Sequence, residues 1–440
     1  MLSNSLRMFP RLISALFLLI GSLTLSAQTE SFDLVTYNLM FYKTTNAPCS
    51  HIRNAALRDA DLTTIVDYLT PEILVVNELG DNPVNPPIML RDILNVNGRN
   101  YYEQATTTNN SSSGLVNMLF YNSDVLALHS QQTLQRDLGG TPILRVIDFY
   151  RLYVKDPGLG QPGVDTVFFT VVALHFKAGS SSGDRSQRER AAEAIIDFID
   201  RNVQDDHVIL AGDLNIRSSS EDAYQELINP SNPLLSLNDP LSRPGNWNNN
   251  PNFSTVHTQS TRSNGAGCFS GGGMDDRFDQ ILVSNQILAN SNLDYVEYRT
   301  IGQDGGSYNN NLATSNNISV PANVATALFN FSDHLPVGIT LEAEVSGLGI
   351  EEAQLWQQSI AFPNPFRDEL TVSFEGMKAH SAMSLNVLDL TGRSIAKLDF
   401  SVGESLENLS FNSGGWPNGI YLLSLIENGQ PLLTRKIVKQ

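Results

Sequence analysis

The sequence predicts an α/β domain from about residue 28 to residue 345, followed by a small all-β module. Three observations predict it. Strand-like apolar runs alternate with amphipathic helix patterns, and polar residues recur where those strands end. Beyond the Gly/Ser joint Ser346-Gly347-Leu348-Gly349, the pattern becomes a plain apolar–polar alternation. At 440 residues the chain has room for two domains. Only 17% of residues are charged, so Asn, Ser and Thr carry much of the polar surface. The formal net charge is −18, which excludes a protein that coats nucleic acid through a basic face. An enzyme that meets phosphate at one local cationic site is still compatible with it. Two cysteines exclude a disulfide-dense miniature fold and a four-thiolate zinc site.

Taken in order, Arg7 and Arg11 precede the apolar run Leu12 to Ile20 and the small-residue stretch Leu25-Ser26-Ala27. This is the pattern of a secretory signal peptide over residues 1–27. The run is too short for a membrane span, and no later segment is long and apolar enough for one. Loss of the two arginines with the leader takes the charge to −20. Leu34 to Tyr37 reads as a strand ending at Asn38. Leu62, Ile65, Val66 and Leu69 then form a helical stripe, which Pro71 stops. Ile73 to Val76 is a buried-type strand ending at Asn77-Glu78. A second unit runs from the strand 166–175, through a helix with Ala192, Ile195, Ile196 and Ile199 on one face, to the strand Val208 to Ala211. Strands at Phe278 to Val283 and Val337 to Leu341 complete the domain. Asn/Gly/Ser-rich loops lie between them at 246–252 and 263–273. The terminal module shows alternation at Leu370 to Phe374 and Leu385 to Asp389.

Ligands gather at strand ends in open α/β sheets. Here those ends carry Asn38, Glu78, His175, Asp213, Asn215, Asp333 and His334, and Asp279 begins a strand. One such residue alone reads as a turn former. Together they supply hard oxygen ligands, suited to Mg²⁺ or Ca²⁺ over Zn²⁺, while two histidines and Asp279 remain for proton transfer. Asp333 and His334 are adjacent, so in an extended segment they would point opposite ways, and another carboxylate must orient His334.

These residues resemble the endonuclease/exonuclease/phosphatase superfamily, which includes DNase I-like nucleases. The resemblance runs from Asp33 to about Leu341. Its signposts are Tyr37-Asn38, Glu78, Leu174-His175-Phe176-Lys177, Gly212-Asp213-Leu214-Asn215, Arg277 to Leu282, and Ser332-Asp333-His334-Leu335-Pro336-Val337. It implies a four-layer α/β/β/α sandwich and metal-dependent hydrolysis of phosphodiester or phosphomonoester bonds. It implies Glu78 as principal metal ligand with Asn38 and Asp333 beside it, for Mg²⁺ with Ca²⁺ or Mn²⁺ as alternatives. Asp213 and Asn215 match the pair that orients water and holds phosphate. His175 and His334 match the histidines that polarise oxygens or move protons, and Asp279 matches the partner of His334. Arg145 is the candidate phosphate-contacting arginine, with Lys177 in support. The carboxylate that orients the first histidine in DNase I-like nucleases has no counterpart in the strand Leu115–Phe120, which offers only Asn117.

Cys49 and Cys268 both lie in loops on the expected catalytic rim, and a disulfide between them is expected. After a linker at 346–358, residues 359–440 resemble the type A sorting domain read by the type IX secretion system. The resemblance rests on Phe362-Pro363-Asn364-Pro365-Phe366, Val387 to Arg393, Gly419-Ile420-Tyr421-Leu422 and Thr434 to Val438. It implies the export machinery as partner and a secreted or surface-held product, expected to be monomeric. The leading functional expectation is a secreted nuclease with extracellular DNA or RNA as substrate, because Leu174 to Gly179 resembles a segment of secreted bacterial nucleases. Sphingomyelinase-like phosphodiesterases and phosphomonoesterases are alternatives. From another class, a catalytically inactive surface-binding protein is disfavoured, because none of the metal-ligand or catalytic positions named above is lost.

Overall fold

The computed structural model describes residues 27–44, 55–108, 114–156, 159, 166–205, 207–265, 267–289, 291–346, 360–374, 377–379, 383–427 and 430–440. The leader up to residue 26, Cys49 and nearly all of the linker lie outside these residues.

Chain periodicity sets the layers. The strand β1 (Ala27–Tyr42) leads to α1 (Ala55–Leu69), whose stripe Leu62, Ile65 and Val66 is buried. Next come β2 (Ile73–Gly80), α2 (Asn85–Met89), β3 (Tyr102–Gln104) and β4 (Leu115–Asn122). A long antiparallel hairpin follows, β5 (Leu126–Arg136) and β6 (Pro142–Val154), ahead of β7 (Phe168–His175). The longest helix, α3 (Ser182–Asn202), opens on a capping box. Ser181 accepts the Asp184 N–H, and the Asp184 carboxylate accepts the Ser181 N–H, which satisfies two orphan donors. Beyond it lie β8 (Val208–Asp213), α4 (Asp222–Ile228), β9 (Leu237–Asn238), β10 (Asp279–Ser284), β11 (Leu293–Thr300), α5 (Ala322–Phe331) and β12 (Val337–Ser346).

Two six-stranded sheets result, ordered β11-β12-β1-β2-β4-β3 and β5-β6-β7-β8-β10-β9. One core contains the inward residues of both sheets together with the apolar faces of α1 and α5. A second core packs α3 and α4 on the outer face of the second sheet, around Ile147, Leu210 and Trp247. The domain is a four-layer α/β/β/α sandwich. Alternation along each strand decides which side chains face the other sheet. Thus Ile209 and Ala211 join the inter-sheet core while Val208 and Leu210 join the helix-side core, so Asp213 continues the inward row.

Contacts divide the chain into two compact units, Gln28–Ser346 and one containing Gly347–Gln440. The C-terminal unit is all β. A three-stranded sheet holds β13 (Ile360–Ala361), β14 (Glu369–Phe374) and β17 (Leu409–Asn412). A four-stranded sheet holds β16 (Ser394–Phe400), β15 (Met383–Leu388), β18 (Gly419–Glu427) and β19 (Gln430–Lys439). Its core is filled by Phe366, Leu370, Phe374, Leu385, Phe411 and Ile437.

One buried acid lies in the catalytic unit away from the strand ends discussed below. Asp148, on the inner face of β6, accepts a hydrogen bond from the Thr108 hydroxyl. Burial pushes its carboxyl up to about 7, against the opposing hydrogen bonds of Thr108 and Gln131. The unfolded carboxyl releases its proton near pH 4 while the folded one keeps it, so Asp148 makes stability fall as pH rises between those values. The slope approaches about 1.4 kcal/mol per pH unit. Urea titrations at pH 5 and pH 7 should therefore show a smaller loss of stability for Asp148→Asn than for the parent.

Candidate active site

Three adjacent strands of the second sheet place one functional residue each in a single row. Asp213 at the end of β8 pairs with His175 on parallel β7 and with Asp279 on antiparallel β10. All three are buried and project between the sheets. The Asp213 Oδ2 lies 3.3 Å from His175 Nε2 and 4.0 Å from His334 Nε2, and Asp279 Oδ2 lies 2.7 Å from His334 Nδ1.

The first sheet supplies the facing row. On β1, Asn38 donates through Nδ2 to Glu78 Oε1 at 3.2 Å and to Asp213 Oδ2 at 3.1 Å, so it bridges the two sheets. Its partner in register on β2 is Asn77. Strict alternation would turn Glu78 to the face opposite Asn77. Instead the β2 register breaks between Val76 and Leu79, and Glu78 takes a left-handed φ of +59°, which returns its carboxylate to the site. Glu78 Oε2 accepts the Phe41 N–H at 3.1 Å, and Oε1 lies 3.7 Å from His175 Nε2. Backbone strain of this kind concentrates at functional sites. Asn215, at φ +53°, donates its N–H to Asp213 Oδ1 and its side-chain amide to the Phe176 carbonyl.

Electrostatics separate the two histidines. Burial drives His175 well below the ordinary histidine value, and the nearby charges of Arg145 and His334 add to this, so it is neutral. Burial alone would do the same to His334. The charge and hydrogen bond of Asp279, with Asp333 and Asp213, instead hold it well above the ordinary value. Burial raises the Glu78 carboxyl, opposed by Arg145 and His334, and also raises Asp213.

Other residues singled out in the sequence are placed as follows. Asp333 and His334 do not diverge: Asp333 Oδ1 lies 4.0 Å from His334 Nε2, and the Gln259 side-chain amide lies against both residues. The expected opposition fails because β12 begins only at Val337, and Ser332-Asp333-His334 is an irregular link after α5. Ser270 N–H also donates to Asp333 Oδ2. Asn117 does not reach His175. Its amide donates to the Val146 and Ala173 carbonyls, while its oxygen accepts from Asn77. The His175 Nδ1 is buried with no hydrogen-bond partner among the described residues. Arg145 donates to the Phe176 carbonyl, and among the described residues it pairs with no carboxylate. Lys177 is turned to Asp184 at 2.9 Å. Cys268 is disulfide-bonded, and the chain's other cysteine, Cys49, lies outside the described residues.

The family signposts are thus carried by one inter-sheet cluster, and the model of the Endonuclease/Exonuclease/phosphatase family matches residues 35–334. The chain belongs to that family. Its members hydrolyse phosphoester bonds with divalent metals. Residues 360–440 match the Secretion system C-terminal sorting domain, a tail that directs type IX export to the cell surface or beyond. Similar folds occur in an endonuclease/exonuclease/phosphatase from Beutenbergia cavernae, with 15% identity and a TM-score of 0.42, over 93% of this chain and 99% of that one. One from Bacteroides vulgatus has 16% identity and a TM-score of 0.46, over 72% and 100%. A mannosyl-6-phosphatase of Bacteroides thetaiotaomicron has 14% and 0.43, over 70% and 99%. No functionally curated protein matches the chain.

The donor set fits the family's hard cation. Glu78, Asp213 and Asp333 offer carboxylate oxygens, and burial raises Glu78 against the opposing Arg145 and His334 charges, a cost that a cation held there would offset. Asp213, Asp279 and His334 also bring one ligand atom each within 4.8 Å of one another. His334 and Asp279 already hold each other through Nδ1 and Oδ2, which leaves Asp279 Oδ1 without a hydrogen-bond partner among the described residues.

Sequence patterns did not single out Arg58. It is buried on α1 and donates through Nη2 to the Leu39 carbonyl at 2.5 Å and the Phe331 carbonyl at 2.9 Å. Those carbonyls adjoin Asn38 and Ser332, so Arg58 ties the segments bearing Asn38 and His334. Ser332 repeats the tie through a bond from its hydroxyl to the Asn38 carbonyl. Arg58→Met should cost roughly 1–3 kcal/mol for each orphaned carbonyl, read as a lower urea midpoint. In Asp279→Asn, imidazole NMR titration should find the His334 pKa lowered, because its charge partner is gone.

Proposed function

We propose that this family member is an exported, divalent-metal-dependent phosphodiesterase that cleaves DNA or RNA outside the cell. The observation that carries the reading is the buried Asp213 carboxylate, set between the neutral His175 at 3.3 Å and the Asp279-held His334 at 4.0 Å. Hydrolysis of a phosphodiester needs a base for water, a cation for the phosphoryl oxygens and a proton for the leaving oxygen. Asp213 is placed to accept the proton of the attacking water, and Asn215 to hold that water or a phosphoryl oxygen. His334, kept cationic by Asp279, gives its Nε2 proton to the leaving oxygen as the P–O bond breaks, while Asp213 takes the proton of the attacking water. His175 donates through Nε2 toward the same region, and Arg145, which forms no close ion pair among the described residues, offers positive charge to the phosphate. Lys177 contributes less, since Asp184 already neutralises it. Glu78, with Asn38 and Asp333, would hold Mg²⁺, with Mn²⁺ or Ca²⁺ as alternatives. The cation would neutralise phosphoryl oxygens and acidify water.

The same reading divides the chain into a leader at 1–27, a catalytic domain at 28–345, a linker at 346–358 and the sorting domain at 359–440. It includes a Cys49–Cys268 disulfide and a monomeric enzyme.

Turnover of single-stranded DNA, plasmid DNA, RNA, sphingomyelin and bis(p-nitrophenyl) phosphate, with and without a chelator, tests the proposal. Nucleic acid should be cleaved, and the chelator should abolish the activity. Asp213→Ala and His334→Ala should each lower kcat by roughly 10²–10⁴-fold, the range of lost acid–base catalysis. Chelator-resistant turnover, or turnover unchanged in both variants, removes this site from the chemistry. Cleavage confined to sphingomyelin moves the enzyme to the phospholipid class.

A further inference from the structure

A cleft of about 460 Å³ opens beside the catalytic row, between the turn that joins β5 to β6 and the first half of α3. His175 and Arg145 line its inner end. Its volume falls within the roughly 300–1,000 Å³ of small-ligand sites. The charges along it are uneven. Arg190 is paired with Asp137 at 3.0 Å and Lys177 with Asp184 at 2.9 Å, so the outer cations are neutralised. Arg145 alone forms no close ion pair among the described residues, although the Glu78 and Asp213 charges act on it from the catalytic side, and its Nε has no acceptor. Beyond Arg145 the walls alternate aliphatic groups, Ile143 and Leu144, with neutral hydrogen-bonding groups, Thr141, Ser186 and Gln187.

One unpaired cation at the catalytic end and a neutral, half-apolar chamber beyond it do not match a track for successive phosphates, which needs a free cation at each step. They match one phosphate followed by an uncharged group with an apolar face and a hydrogen-bonding edge. We propose that the cleft is a nucleoside subsite, which takes the base and sugar on one side of the scissile phosphate and makes single-stranded nucleic acid the preferred substrate. This rests on the phosphodiesterase reading above. A paired base cannot enter the cleft without leaving its stack, and that extrusion costs a few kcal/mol, whereas an unpaired base enters freely.

Kinetics on a single-stranded oligonucleotide, its duplex and bis(p-nitrophenyl) phosphate test the subsite. The parent enzyme should favour the single strand over the duplex by roughly tenfold or more in kcat/KM, the scale of one base contact. Gln187→Trp and Thr141→Trp fill the cleft from opposite walls, and both positions are exposed, so neither disturbs a core. Each should lose roughly tenfold on the single strand, while turnover of bis(p-nitrophenyl) phosphate stays within about twofold. Equal use of duplex and single strand by the parent overturns the subsite. So does an undiminished rate on the oligonucleotide in both variants, or an equal loss on all substrates in both. If the parent hydrolyses bis(p-nitrophenyl) phosphate but no nucleic acid, the nuclease reading itself fails, and the subsite with it.

Discussion

The site depends on a polar contact across the gap between two apolar sheet faces. Asn77, on β2 of the first sheet, donates to the Leu174 carbonyl on β7 and to Asn117 on β4, and its oxygen accepts the Asp213 N–H from β8. Four strands from both sheets thus meet at one buried amide. A buried polar group is costly unless paired, so this amide admits one alignment of the sheets and penalises slippage. Gly212 lets the strands approach that closely. Its φ is +148°, and a Cβ there would sit 2.0 Å from the Leu174 carbonyl oxygen. With that alignment fixed, Asn38 and Glu78 of one sheet come to face His175, Asp213 and Asp279 of the other.

Charge within the site is set by burial first and by partners second. The two histidines are both enclosed, yet only His334 has a carboxylate at 2.7 Å, and that contact, with Asp333 and Asp213 behind it, divides a cationic ring from a neutral one that burial and the Arg145 charge hold down. The chain's overall acidity has little bearing at this range. What matters is that Arg145 and His334 place positive charge among Glu78, Asp213 and Asp333.

Much of the fold was legible from the sequence. The stripe of α1 and the apolar run of β2 follow directly from periodicity and become buried surfaces. Site carboxylates and histidines could be read because each interrupts an apolar strand at its end, where a merely structural chain has less need of them. The β5–β6 hairpin escaped because β5 is mostly part-buried and polar, and the buried run of β6 from Val146 to Tyr150 is broken by Asp148. Arg58 escaped for another reason. Within Leu57-Arg58-Asp59-Ala60 an arginine reads as ordinary helix surface, and only the tertiary fold brings two carbonyls to it. The left-handed turn at Glu78 also left no trace, because no glycine marks it. Asp333 and His334 were misread as pointing apart, because a two-residue alternation was applied to a segment that is not a strand.

The bonds that assemble the cluster span 40 residues from Asn38 to Glu78, 175 from Asn38 to Asp213 and 294 from Ser332 to Asn38. A fragment must reach from Asn38 to His334 to hold the whole cluster, and sequence separations of this length make folding slow. Hydrolytic competence is therefore acquired all at once, when the two sheets close on each other. A chain that lacks either end of the catalytic unit lacks part of the site, so activity reports on the integrity of the whole sandwich.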